Sequence, residues 1–527
     1  MDVPDQSGAG DRNSGFAPLF SRKPRFVTGA PGYICNDLRY ASGGGRLLVG
    51  ACMFFSRRDS VSIRRIHGRI AMAAMTVLSV ACGLMAQTAV PIRWSTIGAS
   101  ITAGSGYPAK LQGLLGPAYK VENEGVSSCT MLKKGDVPYW TSGRLKETFA
   151  FKPDIVSVDL GGNDAKPLNW DAHKNEFIPD FKAMIDTLAT LSTKPRTIPC
   201  TPQPSWLRNG QYTFGISDIT IKNEIIPKIK QISLDTKLPY ADTYTPLVGP
   251  DITSDGVHPD PSKPGADSIA AGIFRAYRDN VTRVACIGNS ITDASHGPGA
   301  YPIKFNQLLG REYFVLNAGA SGTTLLRKGD SPYINNNWFK EVFKFKPGII
   351  TIKLGTNDSK PQNWGTHKDE FVPDLRWLID TLSTISPKPR IYLCTPIPAY
   401  KDASGNDPYG ISGDIIKNEI IPKVKQVAQE KGLTVFDLYT PFLPYKSTQA
   451  DGVHPNDVGL DTLAHILYRA FKAVPTSLAQ GAVPERAESK SLRPHSMNPS
   501  NPLAPLGVDA SGRILDAGAA GAPELKP

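Results

Sequence analysis

The sequence predicts an α/β protein that contains two tandem three-layer α/β/α domains, each with a central parallel sheet. Residues 163–180 read NDAKPLNWDAHKNEFIPD and residues 357–374 read NDSKPQNWGTHKDEFVPD, so a long segment occurs twice. Each repeat also alternates short apolar, β-branched runs with segments of helical spacing. That alternation is typical of a parallel sheet covered on both faces by helices.

The repeat divides the chain of 527 residues into four parts. A period of this length indicates two whole domains rather than a solenoid. We call residues 91–280 the first copy and residues 281–474 the second copy. We expect a leader over residues 1–90 and a disordered tail, rich in Ala, Pro and Gly, over residues 475–527.

The periodicity of the first copy predicts its elements. Strands are expected at residues 92–98, 154–160, 197–201 and 239–243, and helices at residues 107–115, 177–191, 216–234 and 266–277. The carboxyl ends of parallel strands meet at one edge of the sheet, and ligands bind there. We therefore expect the functional residues at that edge.

Residues 61–86 read as a secretory signal. Arginines precede an apolar stretch from Ile70 to Met85, and Ala86 offers a small-residue cleavage site. The stretch is short for a membrane span, and the alternative is an uncleaved amphipathic anchor. Since such a signal normally begins a chain, we expect the upstream part to be a mis-called start, with translation beginning near Val61, Met72 or Met75. The mature protein is expected to be secreted or periplasmic, with no stable membrane insertion.

Charge and composition exclude several classes of protein. The net charge is +11, but residues 1–90 carry +6 of it, which leaves +5 for residues 91–474. That is not the basic stripe interleaved with aromatics that nucleic acid requires, so we expect no nucleic-acid partner. No His/Cys cluster has zinc spacing and no Gly-rich loop has a phosphate-binding pattern. We expect no metal and no other cofactor, and we expect the four cysteines of residues 91–474 to be buried free thiols.

The second copy carries polar residues at predicted strand ends. Ser290 follows a strand on a Gly-containing turn, where a serine is exposed and becomes a nucleophile once a base takes its proton. His454 can be that base. Asp451, three residues earlier, can reach the other ring nitrogen, which fixes the tautomer and stabilises the imidazolium.

A developing oxyanion needs hydrogen-bond donors that are placed beforehand. In the second copy these are expected to be the backbone N–H of Ser290, the backbone N–H of Gly319 and the side-chain amide of Asn357. Each block is common by itself. Four blocks in order at strand ends, present in both copies, indicate a catalytic site.

These blocks resemble those of the SGNH (GDSL-type) esterases and acylhydrolases, which carry Ser, Gly, Asn and His in this order on a flavodoxin-like three-layer α/β/α fold. The resemblance covers nearly all of residues 91–474. In the second copy the matching residues are Ser290, Gly319, Asn357 and His454, with Asp451 as the third member of the triad. In the first copy they are Ser100, Gly125, Asn163 and His258, with Asp255.

The first copy departs further from the family pattern than the second. The usual Asp before the nucleophile is Asn289 in the second copy and Ala99 in the first, and alanine has no side-chain hydrogen bond to offer. The loop after Ser100 is also shorter than the loop after Ser290. We expect two active sites, of which the first is the less active.

Two further pairs of residues follow the oxyanion asparagines. They are Trp170 with His173 in the first copy and Trp364 with His367 in the second. As substrate-binding residues, the tryptophans would stack on a sugar ring and the histidines would contact the substrate. The alternative is that all four anchor this loop against the next helix.

Residues 353–364 resemble sialate O-acetylesterase-like and acetylxylan esterase-like members of the family. The resemblance implies an exported bacterial serine esterase that needs no cofactor and acts on acetylated carbohydrate or another small ester through an acyl-enzyme. Two alternatives stay open: a lipase, lysophospholipase or thioesterase for longer acyl chains, and a non-catalytic glycan-binding protein. The sequence does not indicate an oligomeric state.

Overall fold

The computed structural model describes residues 89–249 and 251–475, together with two short antiparallel strands at Gly507–Val508 and Ile514–Leu515. The expected leader, its secretory signal and most of the expected tail lie outside these residues. Within the described ranges, no helix combines the length and apolar character needed to cross a membrane.

The sheet of the first copy has four parallel strands in the order β2-β1-β3-β4. Their bounds are β1 (Ile92–Gly98), β2 (Tyr119–Gly125), β3 (Ile155–Asp159) and β4 (Arg196–Pro199). The strand predicted at residues 239–243 is only a single parallel bridge between Cys200 and Ala241. The chain turns immediately afterwards, because Asp242 Oδ1 accepts hydrogen bonds from the backbone N–H groups of Tyr244 and Thr245. A short hairpin of β5 (Leu207–Arg208) and β6 (Gln211–Tyr212) lies outside this sheet.

The sheet of the second copy repeats this order and adds a fifth strand, giving β8-β7-β9-β10-β11, again all parallel. The bounds are β7 (Thr282–Gly288), β8 (Tyr313–Gly319), β9 (Ile349–Lys353), β10 (Arg390–Cys394) and β11 (Val435–Phe436).

Helices cover both faces of each sheet. Those of the first copy are α1 (Ser100–Gly104), α2 (Tyr107–Leu115), α3 (Arg144–Phe151), α4 (Pro167–His173), α5 (Phe177–Ala189), α6 (Asp218–Thr220), α7 (Ile226–Thr236) and α8 (Gly265–Arg278). Those of the second copy are α9 (Ser290–Asp293), α10 (Tyr301–Leu309), α11 (Asn337–Phe345), α12 (Pro361–His367), α13 (Phe371–Leu382), α14 (Gly413–Ile415), α15 (Ile421–Lys431), α16 (Tyr439–Phe442) and α17 (Asp457–Lys472). In the first copy α2 and α8 share one buried cluster, and α5 and α7 share another.

The predicted fold class is confirmed: the protein is α/β, with two parallel sheets flanked by helices. The helix predicted at residues 216–234 differs, because a π-helical turn at Ile221–Ile225 separates α6 from α7. Pro227, in the first turn of α7, lacks the N–H that would bond to the carbonyl four residues earlier, which favours a wider turn. The second copy has the same π-helical turn at Ile416–Ile420, followed by Pro422.

One hydrophobic cluster runs through both copies. The rings of Phe274 and Phe314, from different copies, lie 5.4 Å apart between centroids. The hydroxyl of Tyr119 lies 3.0 Å from that of Tyr277, which donates to the backbone carbonyl of Arg311 at 2.8 Å. An ion pair between Arg196 and Glu312 lies at the same junction. The two copies therefore share part of their core.

The two sheets differ in one buried charge. Asp159 and Lys353 occupy equivalent positions, each paired with the glycine that ends the central strand. Asp159 accepts hydrogen bonds from Gln203, and burial raises the pKa of its carboxyl to about 6. Lys353 is 1% exposed, and among the described residues its Nζ has no hydrogen-bond partner. Burial lowers the pKa of this amine to about 8, because water no longer solvates its charged form.

Replacing Lys353 with methionine is expected to stabilise the protein at neutral pH. At pH 7 the buried amine is mostly protonated, so Lys353→Met should raise the free energy of unfolding by on the order of 2 kcal/mol. The folded pKa lies below the ordinary value of 10.5, so the unfolded chain binds more protons between pH 8 and 10.5. The stability of the native protein therefore rises over that window, and the gap to the variant narrows.

Urea-induced unfolding at pH 7 and pH 9.5 measures both effects. Lys340→Met is the control, since Lys340 is an exposed lysine on α11. If Lys353→Met and the native chain had equal free energies of unfolding at pH 7, the buried amine would not destabilise the native protein, which would contradict this prediction.

Candidate active site

The two candidate nucleophiles begin helices directly after central strands. Ser100 is the first residue of α1, after β1, and Ser290 is the first residue of α9, after β7. A Cβ at Gly98 would overlap the Thr102 hydroxyl, and one at Gly288 would overlap the Thr292 hydroxyl. Glycine at the strand end thus lets the short helix fold back against the sheet, which presents the serine at the carboxyl edge.

The structure brings all six predicted triad residues together as two sets. His258 Nε2 lies 2.7 Å from Ser100 Oγ, and His258 Nδ1 lies 2.6 Å from Asp255 Oδ2. In the second copy the corresponding distances are 2.9 Å between His454 Nε2 and Ser290 Oγ, and 2.7 Å between His454 Nδ1 and Asp451 Oδ2. An ionised carboxylate only accepts, so Nδ1 carries the proton and Nε2 is free to accept the serine proton.

The repeated Asp-Gly-Val-His sequence forms a turn that places two triad members at once. Asp451 Oδ1 accepts the backbone N–H groups of Val453 and His454, at 2.9 and 2.7 Å. Gly452 has φ +80°, and a Cβ there would overlap the carbonyl of Tyr400. Only glycine meets both conditions without strain. The first copy repeats the arrangement with Asp255 and with Gly256 at φ +94°.

Both aspartates are held in the charged form. Burial by itself raises the pKa of the Asp451 carboxyl, but the hydrogen bonds from His454 and Val453 outweigh it and lower the pKa to about 2. The same contacts lower the pKa of Asp255. A fixed negative charge at this position would stabilise an imidazolium if the histidine took the serine proton.

The two glycines and two asparagines predicted as oxyanion donors each already donate one hydrogen bond. The N–H of Gly319 donates to Asn317 Oδ1 at 3.0 Å, and the N–H of Gly125 donates to Asn123 Oδ1 at the same distance. Asn357 Nδ2 donates to the carbonyl of Thr323 at 3.0 Å. Since an amide nitrogen carries two hydrogens, Asn357 keeps one for a ligand. Asn163 makes the matching bond to the carbonyl of Cys129, at 3.2 Å.

Gly125 and Gly319 also have a packing role that the sequence did not indicate. In the structure a Cβ at Gly319 would overlap the backbone nitrogen of Asp293, and one at Gly125 would overlap that of Ala103. These residues belong to the nucleophile-bearing helices. The glycines therefore let α1 and α9 pack against the neighbouring strand.

The aspartate after each oxyanion asparagine is structural. Asp358 is fully buried and accepts the backbone N–H groups of Leu325 and Leu326, at 3.0 and 2.8 Å. Burial raises the pKa of its carboxyl to about 6. Asp164 makes the same bonds to Met131 and Leu132. The Asn-Asp pair thus fixes the neighbouring loop from two adjacent positions.

Trp170 and Trp364 are not placed to stack on a substrate. They are 2% and 3% exposed, and their indole N–H groups donate to Glu224 and Glu419 at 2.8 and 2.9 Å. His173 and His367 lie 3.6 and 3.4 Å from glutamates three residues later, Glu176 and Glu370. These contacts favour the loop-anchor alternative for all four residues. The four cysteines, Cys129, Cys200, Cys286 and Cys394, are buried and free, as predicted.

An aromatic residue that the sequence prediction did not include lies beside each candidate catalytic histidine. The ring of Phe214 lies 5.7 Å from that of His258, and the ring of Tyr409 lies 5.4 Å from that of His454. The repeat did contain a signal, since both residues precede the same three residues, Gly-Ile-Ser. The recurrence of an aromatic residue at this position in both copies indicates a role near the site.

The residue before each nucleophile differs between the copies as the sequence showed. Asn289 Oδ1 accepts the backbone N–H of Ile291 at 3.2 Å and so caps α9, whereas Ala99 makes no side-chain cap on α1. The serine–histidine distances are nevertheless close to one another in the two sites. Loss of the cap leaves the triad geometry intact.

The fold and the two serine–histidine–aspartate sets define a class of protein. Residues 96–262 and 286–461, together more than half of the chain, match the GDSL-like lipase/acylhydrolase family. The chain belongs to this family, which confirms the resemblance found in the sequence.

Individual relatives are similar to part of the chain. An acetylxylan esterase of Xylanibacter ruminicola is 39% identical over 222 residues, which cover 37% of this chain and 44% of the relative. The chain thus spans less than half the length of that protein. An isoamyl acetate-hydrolysing esterase 1 homologue of Homo sapiens is 28% identical over 220 residues, covering 37% of this chain and 84% of the relative. Among solved structures, an acetylxylan esterase from Geobacillus stearothermophilus is 23% identical, covers 36% of this chain and 95% of its own, and gives a TM-score of 0.29.

Placing a methyl group at Gly319 is expected to disable Ser290. The new Cβ in Gly319→Ala would push α9 away from β8 and misplace the serine, and a displacement near 1 Å costs about 100-fold in rate. The measurement is the rate at which Ser290 is labelled by a fluorophosphonate, read by intact mass in a Ser100→Ala background.

Gly365→Ala is the matched control, because a Cβ at this helical position meets nothing within 4 Å. It should label at the native rate. Unimpaired labelling of a folded Gly319→Ala protein would contradict the packing role given to this glycine.

Proposed function

We propose that each copy is a serine esterase that hydrolyses carboxylic esters, most readily O-acetyl groups on carbohydrates. The observation that carries the proposal is the hydrogen-bonded serine–histidine–aspartate chain, which occurs at the carboxyl edge of both sheets. Membership of the GDSL-like lipase/acylhydrolase family supports the same reaction class.

The proposed reaction runs through an acyl-enzyme. Ser290 Oγ attacks the ester carbonyl while His454 Nε2 takes its proton. The tetrahedral oxyanion is stabilised by the Ser290 N–H and by the remaining amide hydrogen of Asn357. His454 then gives its proton to the departing alcohol, and a water attacks the acyl-serine with the same histidine as base. Ser100, Asn163 and His258 have the corresponding roles in the first copy.

The space beside Ser100 supports a short acyl group. The cavity there has a volume of about 30 Å³, and its lining includes the polar residues Asn163 and Gln203 and the apolar residues Ile216 and Val257. A long acyl chain requires an extended apolar groove. A cavity this small suits an acetyl group better. The names of two relatives, the acetylxylan esterase and the isoamyl acetate-hydrolysing esterase, also refer to acetyl esters.

A cleft beside Asp451 supports a polar, bulky leaving group. It has a volume of about 430 Å³ and is lined by Asp451 and Tyr409, together with Tyr400, Lys401 and Lys446. Aromatic faces and hydrogen-bonding side chains in one cleft are suited to sugar rings. We assign the sugar to this cleft.

The remaining proposals concern organisation and location. We propose that residues 91–280 and 281–474 are the two catalytic domains and that the first site is the weaker, because α1 lacks the cap that Asn289 gives α9. We also propose export to the periplasm or medium, supported by the signal-like residues 61–86.

Hydrolysis of an aryl-ester series from acetyl to octanoyl tests the proposal. Acetate should be cleaved fastest by the full chain. Ser100→Ala and Ser290→Ala should each leave the activity of the other site, with the larger loss for Ser290→Ala. The double variant should lose at least about 1,000-fold in kcat/KM, because no nucleophile is left. Acetate release from acetylated xylo-oligosaccharides then tests the carbohydrate.

Ser105→Ala is the control, since this serine lies just beyond α1 without taking part in the triad. A preference for octanoate would overturn the short-acyl assignment in favour of a lipase. Glycan binding without cleavage of any ester would overturn the enzymatic proposal altogether.

A further inference from the structure

The two candidate sites differ in one contact to the catalytic aspartate. Phe214 and Tyr409 occupy equivalent positions, and both hold the left-handed backbone conformation, with φ 55° and 57°. Left-handed conformations are strained for aromatic residues, so their recurrence in both copies marks a constrained position. Each ring meets the catalytic histidine edge-on.

The hydroxyl of Tyr409 reaches the triad. It donates to Asp451 Oδ2 at 3.0 Å, the same oxygen that accepts Nδ1–H of His454 at 2.7 Å. This contact raises the pKa of the Tyr409 hydroxyl, because ionisation would put a second negative charge beside Asp451. Phe214 has no hydroxyl, so the first site lacks this donor by chemistry alone.

A second donor on the shared oxygen changes the basicity of the histidine. Hydrogen bonds to a carboxylate stabilise its charge and weaken its pull on any one partner. The imidazolium of His454 therefore gains less from Asp451 than it would if it were the only side-chain donor to that oxygen.

We propose that Tyr409 is a positioning residue of the second site, which acts through Asp451 to keep His454 functional as a base in more acidic solution. The proposal rests on the esterase function given above. It also assigns a chemical difference to the two copies: the second site carries a tyrosine-extended triad, and the first site carries a plain one.

The other polar and charged groups around each site are the same in a variant and in the native chain. Ser290, Asp451 and Tyr409 contact His454, and Asp402, Lys401 and Lys446 line the adjoining cleft. In the first site Arg208, paired with Asp251, lies against the Gly256 turn. Because these groups differ between the two sites, the pH dependence of each variant is compared with that of the unsubstituted residue at the same site.

The pH dependence of kcat/KM for an aryl acetate tests the proposal in the full chain. In a Ser100→Ala background, Tyr409→Phe should move the acid limb to higher pH. In a Ser290→Ala background, Phe214→Tyr should move it to lower pH. An unmoved acid limb, or a change confined to KM, would overturn the proposal, since a residue that only contacts substrate would act through KM.

Tyr400→Phe is the matched control. It removes a hydroxyl from the same cleft, but this hydroxyl donates to the carbonyl of Leu443 at 3.3 Å. It should leave the acid limb of the second site where it is. A shift as large as that of Tyr409→Phe would show a general effect of the cleft and overturn the specific role.

Direct titration of the His454 imidazole keeps this test separate from the esterase proposal. The ¹³Cε1 resonance of His454, assigned through His454→Gln, should titrate at higher pH in Tyr409→Phe than in the native chain. If no ester is cleaved but this shift is found, the esterase function fails and the contact stands. Equal titration midpoints would overturn the proposal whatever the activity.

Discussion

Close packing of a one-turn helix against two strand ends is the constraint on which both sites depend. Gly288 and Gly319 in the second copy remove the side chains that would hold α9 away from β7 and β8. Only then does Ser290 lie within hydrogen-bond reach of His454, which arrives on a turn more than 150 residues later in the chain. The turn is stabilised from within, because the Asp451 carboxylate accepts hydrogen bonds both from the imidazole and from the backbone N–H groups of the turn. The serine–histidine distance therefore depends first on how closely the backbone segments pack, and only then on the side chains that they carry.

The two copies keep this geometry while changing what lies around it. At equivalent positions one sheet buries a carboxyl within a hydrogen-bonded network and the other buries an unpaired amine, with no effect on the serine–histidine distance beyond a few tenths of an ångström. The cap before the nucleophile and the hydroxyl beside the aspartate vary in the same way. Such substitutions alter stability and proton affinity, which depend on local solvation and charge, and leave intact a framework fixed by steric contact.

Much of the site was predictable because its members lie in short, repeated patterns. The triad turn spans four residues, and its glycine and aspartate have local reasons that sequence can show. The class of fold followed from alternating apolar periods. What escaped prediction depended on distant packing. The sequence allowed Trp170 to stack on a sugar ring, but in the structure its indole is buried and contacts Glu224. The packing role of Gly319 depends on the contact between α9 and this residue, which the sequence does not show. The interest of Phe214 likewise depends on its proximity to His258. The strand predicted at residues 239–243 is reduced to a single bridge at Ala241, whereas the second copy, with the same kind of turn at Asp437, keeps a two-residue strand at Val435–Phe436.

The aromatic junction between the copies has a consequence for how the protein can be divided. Tyr119 and Tyr313 are the first residues of β2 and β8, so the sheets meet near the amino ends of their strands. The candidate nucleophiles lie at the opposite ends of the strands. A cut between residues 280 and 281 would leave Phe274 and Tyr277 facing water on one fragment and Phe314 on the other. The two copies are therefore not independent modules. To be soluble by itself, either copy would need polar side chains in place of these exposed aromatic residues.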